Sequence, residues 1–115
     1  MRLLYRMLVV NKNEDLTLSK NIWFIKRIPI HIAKIMMDDK QKKINSLLRT
    51  LSFDDYDYFS DYELTTIVNE INELIKQGLL VKEEMQEIID LIQFAIDNDK
   101  EIMFDPFKGS FGEIT

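Results

Sequence analysis

The chain of 115 residues is long enough for one domain with one hydrophobic core, and its composition (46% hydrophobic, 30% charged) is that of a globular protein. It has no cysteine, which excludes disulfides, thiolate nucleophiles and zinc–thiolate sites. The net charge of −5 is unevenly spread, because residues 1–50 hold eleven Lys and Arg against four Asp and Glu, whereas residues 51–115 hold four against sixteen. This asymmetry indicates either a charged partner or two halves that pack against each other.

The N-terminal residues resemble the start of a signal peptide, but Arg6 interrupts the apolar run and no small-residue cleavage site follows. No apolar run reaches the roughly 20 residues that a membrane span needs. We therefore expect a cytoplasmic protein that does not enter a membrane.

The first third of the chain favours extended structure. Residues 5–10 are rich in β-branched and aromatic side chains and are compatible with a strand or a short helix. Residues 22–32 are predicted to be extended, because isoleucines alternate there and Pro29 disfavours the α region at the residue before it. Pro29 also places any such strand at a sheet edge or breaks it, and a helix is predicted to begin near Ala33.

A helix is predicted over residues 39–51, where apolar side chains recur at i, i+3, i+4 and i+7: Ile44, Leu47, Leu48 and Leu51. The lysines of the opposite face, at positions 40, 42 and 43, are typical of a solvated helix face. They could also indicate nucleic-acid binding, but the acidic remainder of the chain would repel phosphate and no known nucleic-acid motif is present. We therefore expect no direct contact with nucleic acid.

Two further helices, over residues 60–77 and 82–97, are predicted to form an antiparallel pair. Ser60 and Glu63 form a capping box at the first start, in which each side chain bonds the backbone N–H of the other, and Gly78 is the expected left-handed stop. Each helix carries one apolar stripe that it cannot bury alone. The pair therefore needs a third wall, either the helix before it or a small sheet.

The fold predicted from these elements is α+β and predominantly α-helical. It consists of the antiparallel helix pair, a third helix over residues 39–51, and a small β element from the N-terminal region and residues 101–105. Residues 1–115 are predicted to form a single domain with a flexible tail after about residue 107.

The sequence offers little material for catalysis. His31 is the only histidine, and its isoleucine neighbours are typical of a half-buried structural residue rather than a general base. Three glycines form no phosphate-binding loop, and the acidic residues 97–101 lack the central glycine of a calcium loop. We therefore expect no enzymatic activity, no cofactor and no metal.

One segment stands out, since residues 53–63 hold five carboxylates, three tyrosines and two phenylalanines without any Lys or Arg. We interpret it as a surface loop between helices, in which Phe53 and Phe59 pack into the core. Interleaved tyrosines on such a loop indicate a protein interface, and the carboxylates favour a basic partner. With Ser60 and Glu63 occupied as a cap, the candidate partner-binding residues are Asp54, Asp55, Tyr56, Asp57, Tyr58, Asp61 and Tyr62.

The layout of residues 53–107 resembles that of small immunity proteins encoded beside bacterial polymorphic toxins, including those of contact-dependent growth inhibition. The resemblance rests on the run from Phe59 to Leu64 that opens a helix, the second amphipathic helix ending near Ile96, and the terminal strand-like run from Lys100 to Phe107. The acidic, aromatic helix-end segment is also similar to the nuclease-binding surfaces of colicin immunity proteins.

This resemblance implies a cytoplasmic antitoxin that binds a cognate toxin domain with a basic surface, such as a nuclease, and blocks its active site or substrate groove. The alternative is an acidic adaptor or phage-type modulator that binds another basic host protein through the same surface. An enzyme with an unrecognised carboxylate site is the third hypothesis, disfavoured by the single histidine and the scarcity of glycine. The protein is expected to be a monomer, alone or in a 1:1 complex with its partner.

Overall fold

The computed structural model describes residues 4–12, 22–38 and 46–107, which form a four-stranded antiparallel sheet and three α-helices. The strand order is β2-β1-β4-β3, so that β1 and β4 are central and β2 and β3 are the two edges. In chain order the elements are β1 (Leu4–Val10), β2 (Ile22–Ile28), α1 (Ile30–Met37), a single 3₁₀ turn (Leu48–Thr50), β3 (Asp57–Phe59), α2 (Tyr62–Lys76), α3 (Lys82–Asp97) and β4 (Glu101–Phe107).

The predicted fold class is wrong in its emphasis, because the protein is α+β but not predominantly helical. The strand β1 pairs with β2 on one side and with β4 on the other, so the sheet is a complete layer of the fold. Arg6 of β1 pairs with Asp105 of β4, and such distant partners cannot be recognised from local periodicity. The edge strand β3 also lies inside the segment that was interpreted as a loop between helices.

The central strand β1 is buried on both faces. Its odd-numbered side chains from Tyr5 to Val9 belong to the main core beneath the helices. On the other face, Leu8 and Val10 are buried together with Met103 of β4. This two-sided burial explains why the segment reads as a nearly continuous apolar run, a pattern that alone does not separate a strand from a short helix.

Pro29 separates the edge strand β2, which ends at Ile28, from α1. Both the edge position and the break agree with the prediction from the proline. The helix begins at Ile30, however, so the predicted extended structure up to residue 32 and the helix start near Ala33 are wrong. The Pro29 carbonyl accepts hydrogen bonds from the N–H groups of Ile32 and Ala33, at 3.0 Å each. A proline restricts the residue before it and lacks only its own N–H, so a helix can begin directly after it.

The prediction of a third helix over residues 39–51 is wrong for the part of this segment that the structure describes. Residues 39–45, with their lysines, lie outside the described residues, and of the rest only the 3₁₀ turn is helical. The carboxylate of Glu70 in α2 accepts hydrogen bonds from the backbone N–H groups of Leu47 (2.9 Å) and Leu48 (3.0 Å). Apolar residues spaced by three also suit a 3₁₀ turn, so Leu48 reaches the core without an α-helix.

The helix pair is confirmed: α3 has the predicted bounds, and α2 is two residues shorter at its start and one shorter at its end. Gly78 ends α2 with φ of +80°, and the N–H of Leu79 bonds the carbonyl of Leu74 at 2.9 Å. Half of the predicted capping box is present, since the Ser60 N–H donates to the Glu63 carboxylate at 3.2 Å. The N–H of Glu63 bonds the backbone carbonyl of Ser60 instead of its hydroxyl.

The main core lies between the helices and one face of the sheet, so the sheet and not a third long helix is the wall that the helix pair needs. No helix in the described parts of the chain combines the length and the apolar character required to cross a bilayer. The tail predicted after about residue 107 lies outside the described residues. The helical side chains buried in this core are Leu64, Ile67, Ile71 and Leu74 of α2 and Met85, Ile88, Ile92 and Ala95 of α3.

Candidate functional site

The acidic, aromatic segment lies at the β3 edge of the sheet, and two phenylalanines attach it to the core as predicted. Phe59 is buried and packs edge-to-face on Phe104 of β4, with ring centroids 6.0 Å apart. Phe53 is half-buried and packs edge-to-face on Tyr5 of β1 at 5.5 Å. The residues between these two anchors, Asp54, Asp55, Tyr56, Asp57 and Tyr58, are called the acidic edge below.

Tyr56 and Tyr58 are the exposed aromatic residues of the acidic edge, with 54% and 46% of their surface accessible. Their ring centroids lie 6.5 Å apart at an interplanar angle of 54°. Burial raises the pKa of the Tyr58 hydroxyl most strongly. The neighbouring Tyr56 and the carboxylates of Glu101, Asp105 and Asp55 raise this pKa further. Both rings therefore lie in a negatively charged environment on one surface.

The turn that leads into β3 places Asp54 and Asp55 at the surface, where both are exposed. The backbone N–H of Asp54 donates to the Ser52 hydroxyl at 3.2 Å. The Asp55 carboxylate accepts a hydrogen bond from the N–H of Tyr56 at 2.8 Å. Local hydrogen bonds of this kind hold a turn in one conformation, so these carboxylates have a defined position next to the tyrosines.

Asp57 differs from the other acids because it is half-buried on the helix-facing side of β3. Burial raises the pKa of its carboxyl and the charge of Asp55 adds to this, while a hydrogen bond from the Ser52 backbone N–H acts in the opposite direction. Its Oδ2 atom is buried without a hydrogen-bond partner in the described parts of the chain, as is the hydroxyl of Tyr5. Burial and then the Asp57 charge also raise the pKa of Tyr5.

Asp61 and Tyr62 lie beyond Phe59, at the start of α2, and the structure assigns them a different environment. The Asp61 carboxylate forms an ion pair with Lys12, whose ammonium group also pairs with Asp99 after α3. Asp61 and Asp99 both have positive φ, at 55° and 57°. Lys12 therefore joins the start of α2 to the end of α3, whereas Tyr62 is highly exposed.

A cavity of about 170 Å³ adjoins this ion-pair cluster, lined among others by Tyr62 and Thr65. Its charged groups already have partners, since Lys12 holds two carboxylates and Lys100 donates to Asn11 at 3.0 Å. Among the described residues no group of three His, Asp or Glu side chains could hold a metal ion. His31 is exposed on α1, so the prediction that it is half-buried is wrong.

The carboxylates near Tyr58 include two residues of β4, Glu101 and Asp105, which the sequence argument missed. Glu101 and Asp105 flank Met103, the cross-strand partner of Tyr58. Burial raises the pKa of Glu101. Asp105 is 4% exposed and forms an ion pair with Arg6 on β1. The acids at the two ends of residues 101–105 could have been assigned to this site only if the pairing of β4 with β3 had been known.

The chain matches no protein-family model, no curated protein and no solved structure. The chemistry of the acidic edge is therefore the basis for a functional proposal.

Proposed function

We propose that this protein is a cytoplasmic binding protein of the immunity type, which neutralises a toxin domain with a basic surface, such as a nuclease, through its acidic edge. The observation that carries the proposal is the exposed pair Tyr56 and Tyr58 on an edge strand, surrounded by carboxylates. Tyrosines are over-represented among residues that dominate binding energies, and acidic groups favour encounter with a basic surface.

The anchoring of the acidic edge supports this function. Phe53 and Phe59 hold both ends of the segment against the core, and β3 pairs with β4. An ordered segment loses little conformational freedom when it binds, so more of the interaction energy appears as affinity. The two tyrosine rings can therefore act as positioned anchors instead of residues that become ordered on binding.

The electrostatic character of the edge supports a basic partner. The turn exposes Asp54 and Asp55, and Glu101 lies near Tyr58. A nuclease surface that binds phosphate carries Lys and Arg, which such carboxylates complement. Association is then expected to slow as salt screens the exposed charges.

The environment of Asp57 supports a functional role for this residue. Burial raises the pKa of its carboxyl, and Oδ2 has no hydrogen-bond partner among the described residues. A buried unsatisfied polar group costs about 1–3 kcal/mol. Residues that lower stability in this way are concentrated at functional sites.

The proposal is tested by affinity purification of the partner from the native strain, followed by mass spectrometry. The bait is the full chain, compared with Asp55→Lys and with a matched control, Glu84→Lys, which changes an exposed carboxylate of α3. We expect one basic protein that binds the parent and the Glu84 variant and is lost with the Asp55 variant. It should stop growth when expressed alone and not when co-expressed with this chain.

A basic partner without toxicity would favour the adaptor or modulator function instead. Equal recovery of the partner by all three baits would show that the partner does not bind through the acidic edge. Because Asp55 and Glu84 are both exposed, neither substitution is expected to unfold the protein.

A further inference from the structure

The second edge of the sheet, β2, carries a patch of large exposed apolar side chains. Trp23, Phe24 and Ile25 are 51%, 43% and 49% accessible, and β2 has a strand neighbour on only one side within the described sheet. Proteins usually protect an edge strand with short length, inward charge or cover, because its unpaired backbone groups can pair with another chain. The edge strand β2 is seven residues long and its first four residues are apolar, so this half of the strand indicates an interaction surface.

We propose that β2 pairs with β2 of a second copy of this chain, which joins two four-stranded sheets into one eight-stranded antiparallel sheet. The occupant is a second copy because the strand is complementary to itself when it is reversed. Its first half is aromatic, its centre is Ile25, and its second half holds Lys26 and Arg27. The proposal does not rest on the proposed function, since the acidic edge lies at β3, the opposite edge strand of the sheet.

A twofold axis restricts the register of such a pair. The axis runs perpendicular to the sheet and keeps the two faces distinct, so residues directly opposite must face the same side. Ile28 belongs to the main core, and Phe24 packs edge-to-face on Phe94 of α3 at 5.1 Å, so the even-numbered residues from Phe24 to Ile28 face the helices. A register shift before Phe24 places Ile22 on the other face. Ile25 and Arg27 lie on the other face. The allowed registers are therefore those in which one residue, at the centre of the pair, lies opposite the same residue of the second copy.

The charges select among these registers. If Lys26 or Arg27 lay opposite the same residue of the second copy, like charges would face each other, which is destabilising. A centre at Ile25 pairs this isoleucine with its copy and places Phe24 opposite Lys26 of the second copy, where an ammonium group meets an aromatic ring. The ammonium group of Lys26 already bonds Glu87 of α3 at 2.7 Å, which limits repulsion across the axis. A centre at Phe24 would pair fewer of the described residues.

The absence of cysteine allows a direct test of this register. Ile25→Cys introduces one thiol per chain, and opposite residues of an antiparallel pair lie within the Cα separation that a disulfide requires. On oxidation we expect the Ile25 variant to form a disulfide-linked dimer under non-reducing conditions. The matched control is Tyr58→Cys, an equally exposed position on the other edge strand, which should stay largely uncross-linked.

The unmodified interface is tested by sedimentation equilibrium over a wide range of protein concentration. The parent should reach twice the monomer mass, while Ile25→Lys, which places like charges on the axis, should remain a monomer with an unchanged circular dichroism spectrum. Leu79→Lys, at another exposed apolar residue, should still form the dimer. A parent that is monomeric at all concentrations would overturn the proposal. So would cross-linking of Ile25→Cys to Tyr58→Cys in a mixture, since β3 would then be the occupant.

A dimer through β2 would replace the monomer expected from the sequence. Each protomer would keep its acidic edge accessible at the outer end of the joined sheet. If the proposed function also holds, the complex with the partner would contain two copies of each protein instead of one.

Discussion

Substitution of Asp57 by asparagine should stabilise the isolated protein at neutral pH. The residue is half-buried, its Oδ2 atom has no hydrogen-bond partner in the described parts of the chain, and burial raises the pKa of its carboxyl. The amide removes the buried charge and retains an oxygen that can accept the hydrogen bond from Ser52. Because burying a charged group costs more than burying a neutral amide, we expect a gain of about 1 kcal/mol in the free energy of unfolding. In a domain of this size the melting temperature should rise by about 4 °C.

The sign of the pH dependence follows from the direction of the pKa shift of Asp57. As the pH rises, the unfolded chain releases this proton first, so the charged carboxylate destabilises the folded protein. This cost is absent well below the ordinary value of 3.8, grows as the pH rises through the raised pKa, and is complete above it. The stability difference between Asp57→Asn and the parent should therefore shrink in acid.

Urea unfolding followed by circular dichroism, at neutral pH and near pH 4, measures this difference. Asp54→Asn is the control, because it removes an exposed carboxylate of the same segment and should change stability by less than about 0.5 kcal/mol. A loss of stability in Asp57→Asn at neutral pH, or a gain that is equal at both pH values, would refute the reasoning.

Three further substitutions test the fold by the same urea assay. Glu70→Ala removes the acceptor of two backbone N–H groups before and within the 3₁₀ turn and should cost about 1–3 kcal/mol, whereas an unchanged midpoint would mean that the turn does not need it. Arg6→Ala leaves the buried Asp105 carboxylate without this ion pair and should cost about 3–5 kcal/mol, most of which should return when both residues are replaced by leucine. Gly78→Ala meets no atom within 4 Å but forces an alanine to φ of +80°, so a cost of about 1–2 kcal/mol is expected and a neutral result would contradict the backbone argument.

The helix pair could be predicted from the sequence because its signals are local. Apolar spacing, a carboxylate at the first turn and Gly78 act within a few residues, and the bounds of α3 agree with the prediction. Strands in the N-terminal region and over residues 101–105 were predicted and are present as β1 and β4. Their place at the centre of a four-stranded sheet could not be predicted, since the two strands lie at opposite ends of the described chain. The 3₁₀ turn depends on Glu70, more than twenty positions away, and therefore the helix predicted over residues 39–51 failed where it can be compared.

The candidate site shows the same division between local and distant information. The exposure of Tyr56 and Tyr58 agrees with the sequence argument, because both tyrosines lie next to carboxylates in a segment that runs along the surface. The engagement of Asp61 by Lys12 and the approach of Glu101 depend on contacts between distant parts of the chain. Composition identified the segment, and only the fold separates the acidic edge from the helix start that follows it.

The central claim, that the acidic edge binds a basic partner, is tested most directly by calorimetric titration of that partner with variants of the exposed tyrosines. Tyr58→Ala should weaken binding by about 2 kcal/mol or more, roughly thirtyfold in Kd, because a central aromatic anchor is lost. Leu79→Ala, which removes exposed apolar surface beyond the end of α2, should leave the affinity unchanged. If Tyr58→Ala bound the partner as tightly as the parent chain, while Leu79→Ala weakened binding, the partner would occupy another surface and the claim would be contradicted.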